Sequence, residues 1–146
     1  MMKIVCLSVL CCLCCQLGFS QASSANSYRF TLDLVQVADD KIGVELLPPA
    51  IKKKEIIYNL PKIVPGTYSE DDFGRYIEGF EALDKNGQVL PVEKIGANSW
   101  RISNAKKLGK IRYKVNDTFD DEKKKKKIFE PCGLNIQKDT NYLLNT

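Results

Sequence analysis

A strict alternation of basic and apolar residues runs through Lys110-Ile111-Arg112-Tyr113-Lys114-Val115. Successive side chains of a β-strand point to opposite faces of a sheet, so Ile111, Tyr113 and Val115 share one face. The three basic side chains share the other face. We therefore predict a strand here that packs on a core with one face and meets water with the other.

The same two-residue period, or the short apolar composition of strands, recurs along the chain. The further segments are residues 28–37, 42–46, 55–60, 79–83, 88–92 and 99–103. Turn-forming clusters such as Asp39-Asp40-Lys41 and Pro48-Pro49 separate them. Helical spacing of apolar residues is not sustained over any 12-residue window of residues 23–146. Short strands at this spacing favour an antiparallel β-sandwich or barrel. We predict an all-β fold, an antiparallel β-sandwich of about seven short strands.

The first of these segments predicts a half-buried strand. Its apolar side chains at even positions fall on one face: Tyr28, Phe30, Leu32 and Leu34. Between 79–83 and 88–92 stands Asn86-Gly87, and Asn-Gly is a strong signal for a β-hairpin. Pro91 lies inside the second arm, and because proline cannot donate to a strand ladder, an edge or a bulge is expected there.

The N-terminal segment has the layout of an export signal. Met1-Met2-Lys3 is a short basic start, residues 4–15 form an almost wholly apolar run of 12, and residues 18–22 supply small side chains for cleavage. We predict a cleavable signal peptide over 1–22 and a β domain over 23–146. The run is too short for a stable membrane span, which needs about 20 residues. The chain is expected to be exported, to the periplasm or the extracellular space. The alternatives are a buried core helix, a membrane anchor and a lipid-anchored cysteine.

Five of the six cysteines lie in this removable segment: Cys6, Cys11, Cys12, Cys14 and Cys15. Only Cys132 would remain in the mature chain, so neither an internal disulfide nor a site built on paired cysteines is expected. Cys132 is interpreted as a small, partly buried residue, with pairing between chains or chemical reactivity as the alternatives.

Charge and histidine content exclude several function classes. The 22 basic and 18 acidic residues leave a net charge of +4, too weak to indicate a nucleic-acid partner. The sequence contains no histidine, which excludes a Ser-His-Asp triad, a Cys-His pair and zinc sites with histidine ligands. Lys123–Lys127 is a run of five lysines beside an acidic cluster. It is interpreted as a solvated surface loop rather than a nuclear address or an anionic-surface contact.

Two acidic clusters are the remaining candidates for chemistry. They are Glu70-Asp71-Asp72 and Asp120-Asp121-Glu122. Neither has the alternating ligand spacing and glycine turn of a calcium loop. Solvated loops are the favoured interpretation, with calcium binding or an acid–base pair as alternatives.

Two ordered motifs carry a resemblance to a known family. The first is Leu60-Pro61-Lys62-Ile63-Val64-Pro65-Gly66-Thr67-Tyr68, followed by Asp72-Phe73-Gly74-Arg75-Tyr76; the second is Phe129-Glu130-Pro131-Cys132-Gly133-Leu134-Asn135-Ile136. With the segments 80–87, 98–102, 111–115 and 117–120, they resemble the N-terminal domain of the glycyl aminopeptidase family (peptidase family M sixty-one). The resemblance covers nearly all of residues 28–146, with Cys132 at the family's alanine position.

The resemblance implies structural rather than catalytic roles for its motif residues. These residues are Pro65, Gly66, Tyr68, Asp72, Phe73, Asn86, Gly87, Trp100, Pro131 and Gly133. Pro65-Gly66 suits a type II turn, because proline fixes φ and glycine accepts a positive φ. Tyr68 and Phe73 are expected to pack beneath that turn.

Family members carry a second, thermolysin-like domain, whose His-Glu-x-x-His helix binds zinc, and many also carry a PDZ domain. No position of this sequence can take the role of those histidines. We expect a non-catalytic, truncated N-terminal β domain of a secreted aminopeptidase-like protein, without a cofactor of its own. It would pack against a zinc-peptidase domain absent from this chain. A free-standing secreted β-sandwich binding module is the alternative, and an enzyme using carboxylates such as Asp72 and Asp121 is the third hypothesis.

Overall fold

The computed structural model describes residues 26–66, 69–119, 128 and 132–144. The strands are β1 Arg29–Ala38, β2 Lys41–Leu47, β3 Glu55–Asn59, β4 Ile77–Asp84, β5 Val89–Leu90, β6 Val92–Lys94, β7 Ser99–Ser103, β8 Leu108–Asn116, β9 Asn135–Gln137 and β10 Asn141–Leu143. Two short 3-10 helices, Phe73–Tyr76 and Ala105–Lys107, lie between strands. Among these residues no helix has the length and apolarity needed to cross a membrane.

The strands form three sheets, and every strand pairing is antiparallel. The largest sheet has the order β1-β2-β8-β4-β5, the second has the order β3-β7-β6, and β9 and β10 form a hairpin. The predicted all-β, antiparallel class is confirmed. The described residues hold ten strands rather than about seven, because residues 88–92 contribute to two strands and the C-terminal hairpin adds two more.

As the alternation predicts, one face of β8 is buried in the core and the other is exposed to solvent. We call the buried face of this sheet its dry face. Ile111 is 1% exposed. On the opposite face, Lys110 Nζ lies 2.7 Å from Glu45 Oε2 of β2, and Arg112 Nε lies 2.6 Å from Glu81 Oε2 of β4. Ion pairs at such exposed positions contribute little stability, about 0–1 kcal/mol each. Their main effect is to keep this face of the central strand in water.

The core lies between the dry face of the five-stranded sheet and the three-stranded sheet. Its buried members come from both sheets: Val44, Leu46, Ala82, Leu90, Ile102, Leu108, Ile111 and Tyr113. Two contacts show the sheets facing each other directly. The ring of Phe80 in β4 stacks on that of Trp100 in β7 with centroids 4.7 Å apart, and the hydroxyls of Tyr58 in β3 and Tyr113 in β8 lie 3.1 Å apart.

Pro91 marks the point where the chain changes sheets. It ends β5 in the five-stranded sheet, and β6 begins at the next residue in the three-stranded sheet. Proline donates no backbone hydrogen bond, but its carbonyl accepts one from Ser103 N at 3.0 Å. The irregularity expected at this residue is therefore a switch between sheets.

The predicted hairpin at Asn86-Gly87 is present between β4 and β5. Gly87 N donates to Asp84 O at 3.1 Å, Asp84 N donates to Gln88 O at 2.8 Å, and Gly87 has a φ of +82°. This is a three-residue loop whose last residue takes a positive φ, rather than a two-residue Asn-Gly turn.

The prediction of a half-buried strand at residues 28–37 is wrong in its burial. The strand is present as β1, but its apolar row is largely exposed: Tyr28 is 63%, Phe30 57%, Leu32 40% and Leu34 39% exposed. The cause is the position of β1 at the edge of the larger sheet. The three-stranded sheet packs on the same face of the larger sheet but covers β2, β8, β4 and β5, so the described residues leave β1 uncovered.

Several predictions fall outside the described residues. They concern the signal peptide at 1–22, Tyr68, Pro131, the acidic cluster at 120–122 and the lysine run at 123–127.

Candidate functional site

The loop between β3 and β4 carries the first motif and is tied back on itself. The backbone N–H groups of Asp71 and Asp72 both donate to Lys62 O, at 2.9 and 3.2 Å, and Phe73 N donates to Pro61 O at 3.3 Å. These bonds join the two arms of the loop. Buried or half-buried backbone groups need such partners, so the loop has a defined shape rather than a free path.

Asn98 connects this loop to the start of β7. Its side-chain Nδ2 donates to Asp72 Oδ1, and its Oδ1 accepts from Gly74 N, both at 2.8 Å. Leu60 N also donates to Asn98 O at 2.9 Å. One asparagine therefore holds both ends of the loop against the three-stranded sheet.

Gly74 approaches the backbone at residues 97 and 98 very closely. A Cβ atom built on Gly74 would lie 2.2 Å from Ala97 O and 2.7 Å from Asn98 Cα. Only glycine fits this contact, because the opposing atoms belong to the main chain and cannot rotate away. The motif segment Asp72-Phe73-Gly74 is thus a packing element.

The acidic cluster in this loop is divided among separate partners. Glu70 Oε2 lies 2.8 Å from Lys62 Nζ, Asp71 is buried and accepts a hydrogen bond from Ser69 Oγ, and Asp72 accepts from Asn98. The hydrogen bond and the negative charge of Glu70 raise the pKa of the Lys62 ammonium. The described residues contain no group of three or more His, Cys, Asp or Glu side chains placed to hold a metal ion.

Pro65 and Gly66 lie exposed at the tip of the loop. Gly66 has a φ of +91°, the value that the third position of a type II turn requires. A Cβ on Gly66 would meet no atom within 4 Å, so backbone conformation rather than space favours glycine there. Phe73 packs with Val64 on a small buried cluster of Tyr76, Ile128 and Cys132.

An apolar cavity of about 320 Å³ lies between this loop and the five-stranded sheet. The residues around it come from the loop, from β4 and β8, and from the C-terminal segment: Leu60, Pro61, Val64, Phe73, Tyr76, Ile77, Tyr113, Val115, Thr118, Cys132 and Leu134. Cys132 is 7% exposed, so it is a packed side chain, as interpreted from the sequence. Gly133, beside it, is also buried.

Asp117 fastens the C-terminal segment to the end of β8. It is 7% exposed, and its two carboxylate oxygens accept hydrogen bonds from Phe119 N and Ile136 N. Beside it, Thr118 exchanges hydrogen bonds with Leu134: Leu134 N donates to Thr118 Oγ1 at 2.8 Å, and Thr118 N donates to Leu134 O at 3.0 Å. A charged acceptor of two backbone N–H groups makes a strong, local clamp.

The remaining motif residues lie elsewhere. Asn86 and Gly87 form the β4–β5 turn on the surface, and Trp100 is 4% exposed in the core. The structure brings Asp72, Phe73, Pro65 and Gly66 into one loop but does not gather all the motif residues into one site. Asp72, Phe73, Gly133 and Trp100 contact main chain or lie at least partly buried, whereas Pro65, Gly66, Asn86 and Gly87 lie exposed in turns.

Comparison with known proteins identifies the family. The profile described as peptidase M61 N-terminal domain matches residues 29–145. The chain belongs to this family. The resemblance found in the sequence is therefore confirmed.

A solved structure is also similar to this M61 N-terminal domain. It is an aminopeptidase N family protein from Idiomarina loihiensis, 25% identical in sequence with a TM-score of 0.56. The match covers 62% of this chain and 15% of that protein, so the chain corresponds to a small part of a much longer relative. No curated protein matches the chain.

The M61 N-terminal domain also holds an aromatic cluster that sequence analysis missed. Tyr58, Phe80, Trp100 and Tyr113 pack between the two sheets with centroid separations from 4.7 to 6.1 Å: Phe80 stacks on Trp100 and Tyr113, and Tyr58 is tilted against Phe80 and Tyr113. Burial raises the pKa of Tyr58, and its hydrogen bond with Tyr113 raises it further. Burial also raises the pKa of Tyr113, against a lowering contribution from that hydrogen bond. The tyrosines were visible in the sequence, but their pairing across sheets was not.

The tyrosine pair predicts alkaline destabilisation. Because the folded-state pKa values lie above the unfolded ones, the neutral phenols stabilise the fold fully below about pH 10, and this stabilisation is lost as the pH rises further. We expect the urea midpoint to fall between pH 10 and pH 11.5. In Tyr58→Phe, which removes one of the two ionising groups, the fall should be shallower. Equal slopes in the two proteins would contradict the assignment.

Proposed function

We propose that this chain is the non-catalytic N-terminal β domain of a secreted aminopeptidase-like protein. In this role it packs against a zinc-peptidase domain that the chain itself does not contain, and it contributes structure rather than chemistry.

One observation carries the proposal. The M61 N-terminal match runs from residue 29 to residue 145, and no histidine occurs anywhere in the sequence. A zinc peptidase of the His-Glu-x-x-His type needs two histidines on one helix and a glutamate that activates water. The acidic loop supports a non-catalytic role, because its carboxylates form an ion pair with Lys62 and accept hydrogen bonds from Ser69 and Asn98.

The secretory part of the proposal rests on residues 1–22. Their basic, apolar and small segments follow the order of a cleavable signal, and cleavage after Ala22 would leave Ser23 as the first residue. N-terminal sequencing of the protein recovered from outside the cytoplasm tests this. A protein that retains Met1 and stays inside the cell would count against export.

The enzymatic part is tested with purified protein. The chain is incubated with aminoacyl p-nitroanilides, with and without added zinc chloride, beside a known zinc aminopeptidase as the positive control. We expect no release of p-nitroaniline under either condition. Zinc-dependent turnover that copurifies with the chain and is abolished by chelation would overturn the proposal.

The docking part is tested at the gene and then with protein. The locus is sequenced beyond the codon for Thr146, and any frame encoding His-Glu-x-x-His is expressed as a separate polypeptide. We expect such a frame, and we expect its product to bind the purified chain with an apparent Kd in the micromolar range or tighter. A stop without such a frame would favour the free-standing binding module instead.

A further inference from the structure

The strand β1 presents an apolar row at the edge of the larger sheet. The row consists of Tyr28, just before the strand, and of Phe30, Leu32 and Leu34 within it, each between 39% and 63% exposed. Phe30 and Leu32 are directly opposite the core residues Leu46 and Val44 of β2. The dry face of the sheet therefore continues to its edge, where the described residues leave it uncovered.

The same strand is open along its backbone. It ends the order β1-β2-β8-β4-β5, so one side of β1 has no neighbouring strand among the described residues. The other edge of this sheet is β5, which has only two residues. A long edge strand with an apolar face is a template for pairing with another strand.

The open part of β1 has a defined end. Tyr142 Oη donates to Leu34 O at 3.3 Å, and Asp33 Oδ1 accepts from Val35 N and Gln36 N at 3.0 and 2.9 Å. The regular pairing of β1 with β2 is also interrupted after Asp33. A partner strand is thus confined to the stretch from Tyr28 to Leu34.

This stretch is complementary to itself in the antiparallel direction. When two copies are aligned with Thr31 opposite Thr31, Arg29 of each copy faces Asp33 of the other. On the other face, Phe30 meets Leu32 and Tyr28 meets Leu34. Opposite charges and aromatic–aliphatic pairs directly across two strands are the favourable pairings, each worth about 0.2–1 kcal/mol.

We propose that a second copy of this chain binds here, with the two β1 strands paired antiparallel about a two-fold axis at Thr31. The pairing joins two five-stranded sheets into one continuous sheet across the dimer. It is isologous, as two-fold contacts are, so both copies use the same residues. The match of the Arg29–Asp33 pairs together with the Phe30–Leu32 and Tyr28–Leu34 pairs in one register favours a second copy over an unrelated strand. The proposal is independent of whether the chain also docks on a peptidase domain.

The charge pairs give the sharpest test. Sedimentation velocity on the purified chain from 1 to 200 μM should show a monomer–dimer equilibrium. Arg29→Asp places Asp against Asp33 of the other copy, and Asp33→Arg places Arg against Arg29, so each variant alone should dimerise about 10-fold more weakly. An equimolar mixture of the two variants restores both opposite-charge pairs and should recover the dimer as a heterodimer.

The register is tested by cross-linking. In Thr31→Cys the two new thiols face each other and should form an interchain disulfide under mild oxidation. In Val35→Cys the two thiols are eight residues apart along the paired strands, about 27 Å, and should remain uncross-linked. The unsubstituted protein, which carries the buried Cys132 and the five cysteines of residues 6–15, provides the background. Cross-linking at position 35 but not at 31 would overturn the register.

An apolar variant and its matched control complete the test. Phe30→Lys should abolish the dimer at 200 μM, whereas Val89→Lys, at a 66% exposed residue of the opposite edge strand β5, should leave it unchanged. Circular dichroism melts confirm that each variant is folded. A parent protein that is monomeric at every concentration, or a dimer that Arg29→Asp and Phe30→Lys both leave intact, overturns the proposal.

Discussion

Replacing Gly74 with alanine is expected to destabilise the domain strongly. The new Cβ would lie 2.2 Å from Ala97 O and 2.7 Å from Asn98 Cα. Relief of this overlap requires the loop to move away from β7. That movement stretches the bond from Gly74 N to Asn98 Oδ1, now 2.8 Å, and with it the contact of Asn98 with Asp72. We expect a loss of about 4 kcal/mol, at the upper end for a single substitution.

Urea unfolding followed by tryptophan fluorescence measures this loss, because Trp100 is buried in the adjoining core. Gly43→Ala is the matched control. Its Cβ would meet only Asp33 Cβ, at an ordinary 3.6 Å, in a strand where alanine is favoured over glycine by about 0.5–1 kcal/mol. A Gly74→Ala protein within about 1 kcal/mol of the parent would show that the loop is not packed as described.

Truncation of Ile102 is the second substitution with a large expected effect. Ile102 is 0% exposed at the centre of β7, with Ile56 of β3 on one side and Val92 of β6 on the other. Ile102→Ala removes three buried carbon atoms and leaves a cavity between the two sheets. This cavity can close only if the two sheets move towards each other. We expect a loss of about 3–4 kcal/mol in the free energy of unfolding.

Ile57→Ala provides the comparison for that measurement. Ile57 lies in β3 beside the partly buried Ile56, but its side chain is on the outer face and is 51% exposed. The same chemical change there should cost less than about 1 kcal/mol. If the two alanine variants unfold at the same urea concentration, the burial of Ile102 cannot be the source of its stabilising effect.

Sequence periodicity predicted the strands whose two faces differ in polarity. The segments containing Trp100 and Tyr113 correspond to β7 and β8, because both strands have one buried and one solvated face. The C-terminal hairpin was not predicted, since Asn135–Gln137 and Asn141–Leu143 are each too short to show a period. The first of them is held by hydrogen bonds from Leu134 N to Thr118 Oγ1 and from Ile136 N to Asp117, and the second pairs with the first.

The burial of β1 was mispredicted because alternation reports a side chain's face and not what covers that face. Phe30 and Leu32 are on the dry face, as the pattern indicated, but the covering sheet does not reach them. The loop site shows a similar limit. Gly74 and Asn98 are 24 residues apart, and only the packing of the loop on β7 brings them into contact. The first motif identified the segment that contains Gly74 but did not show that Asn98 is its contact.

The single residue between β5 and β6 couples the motions of these two strands, which belong to different sheets. Pro91 is the only residue between β5 and β6, so the connection has no spare length. A fluctuation that separates β6 from β7 therefore strains the hydrogen bonds between β5 and β4. The two end strands β5 and β6 therefore open together. We therefore expect the backbone amides of β5 and β6 to exchange with solvent in one common event, although the two strands belong to different sheets.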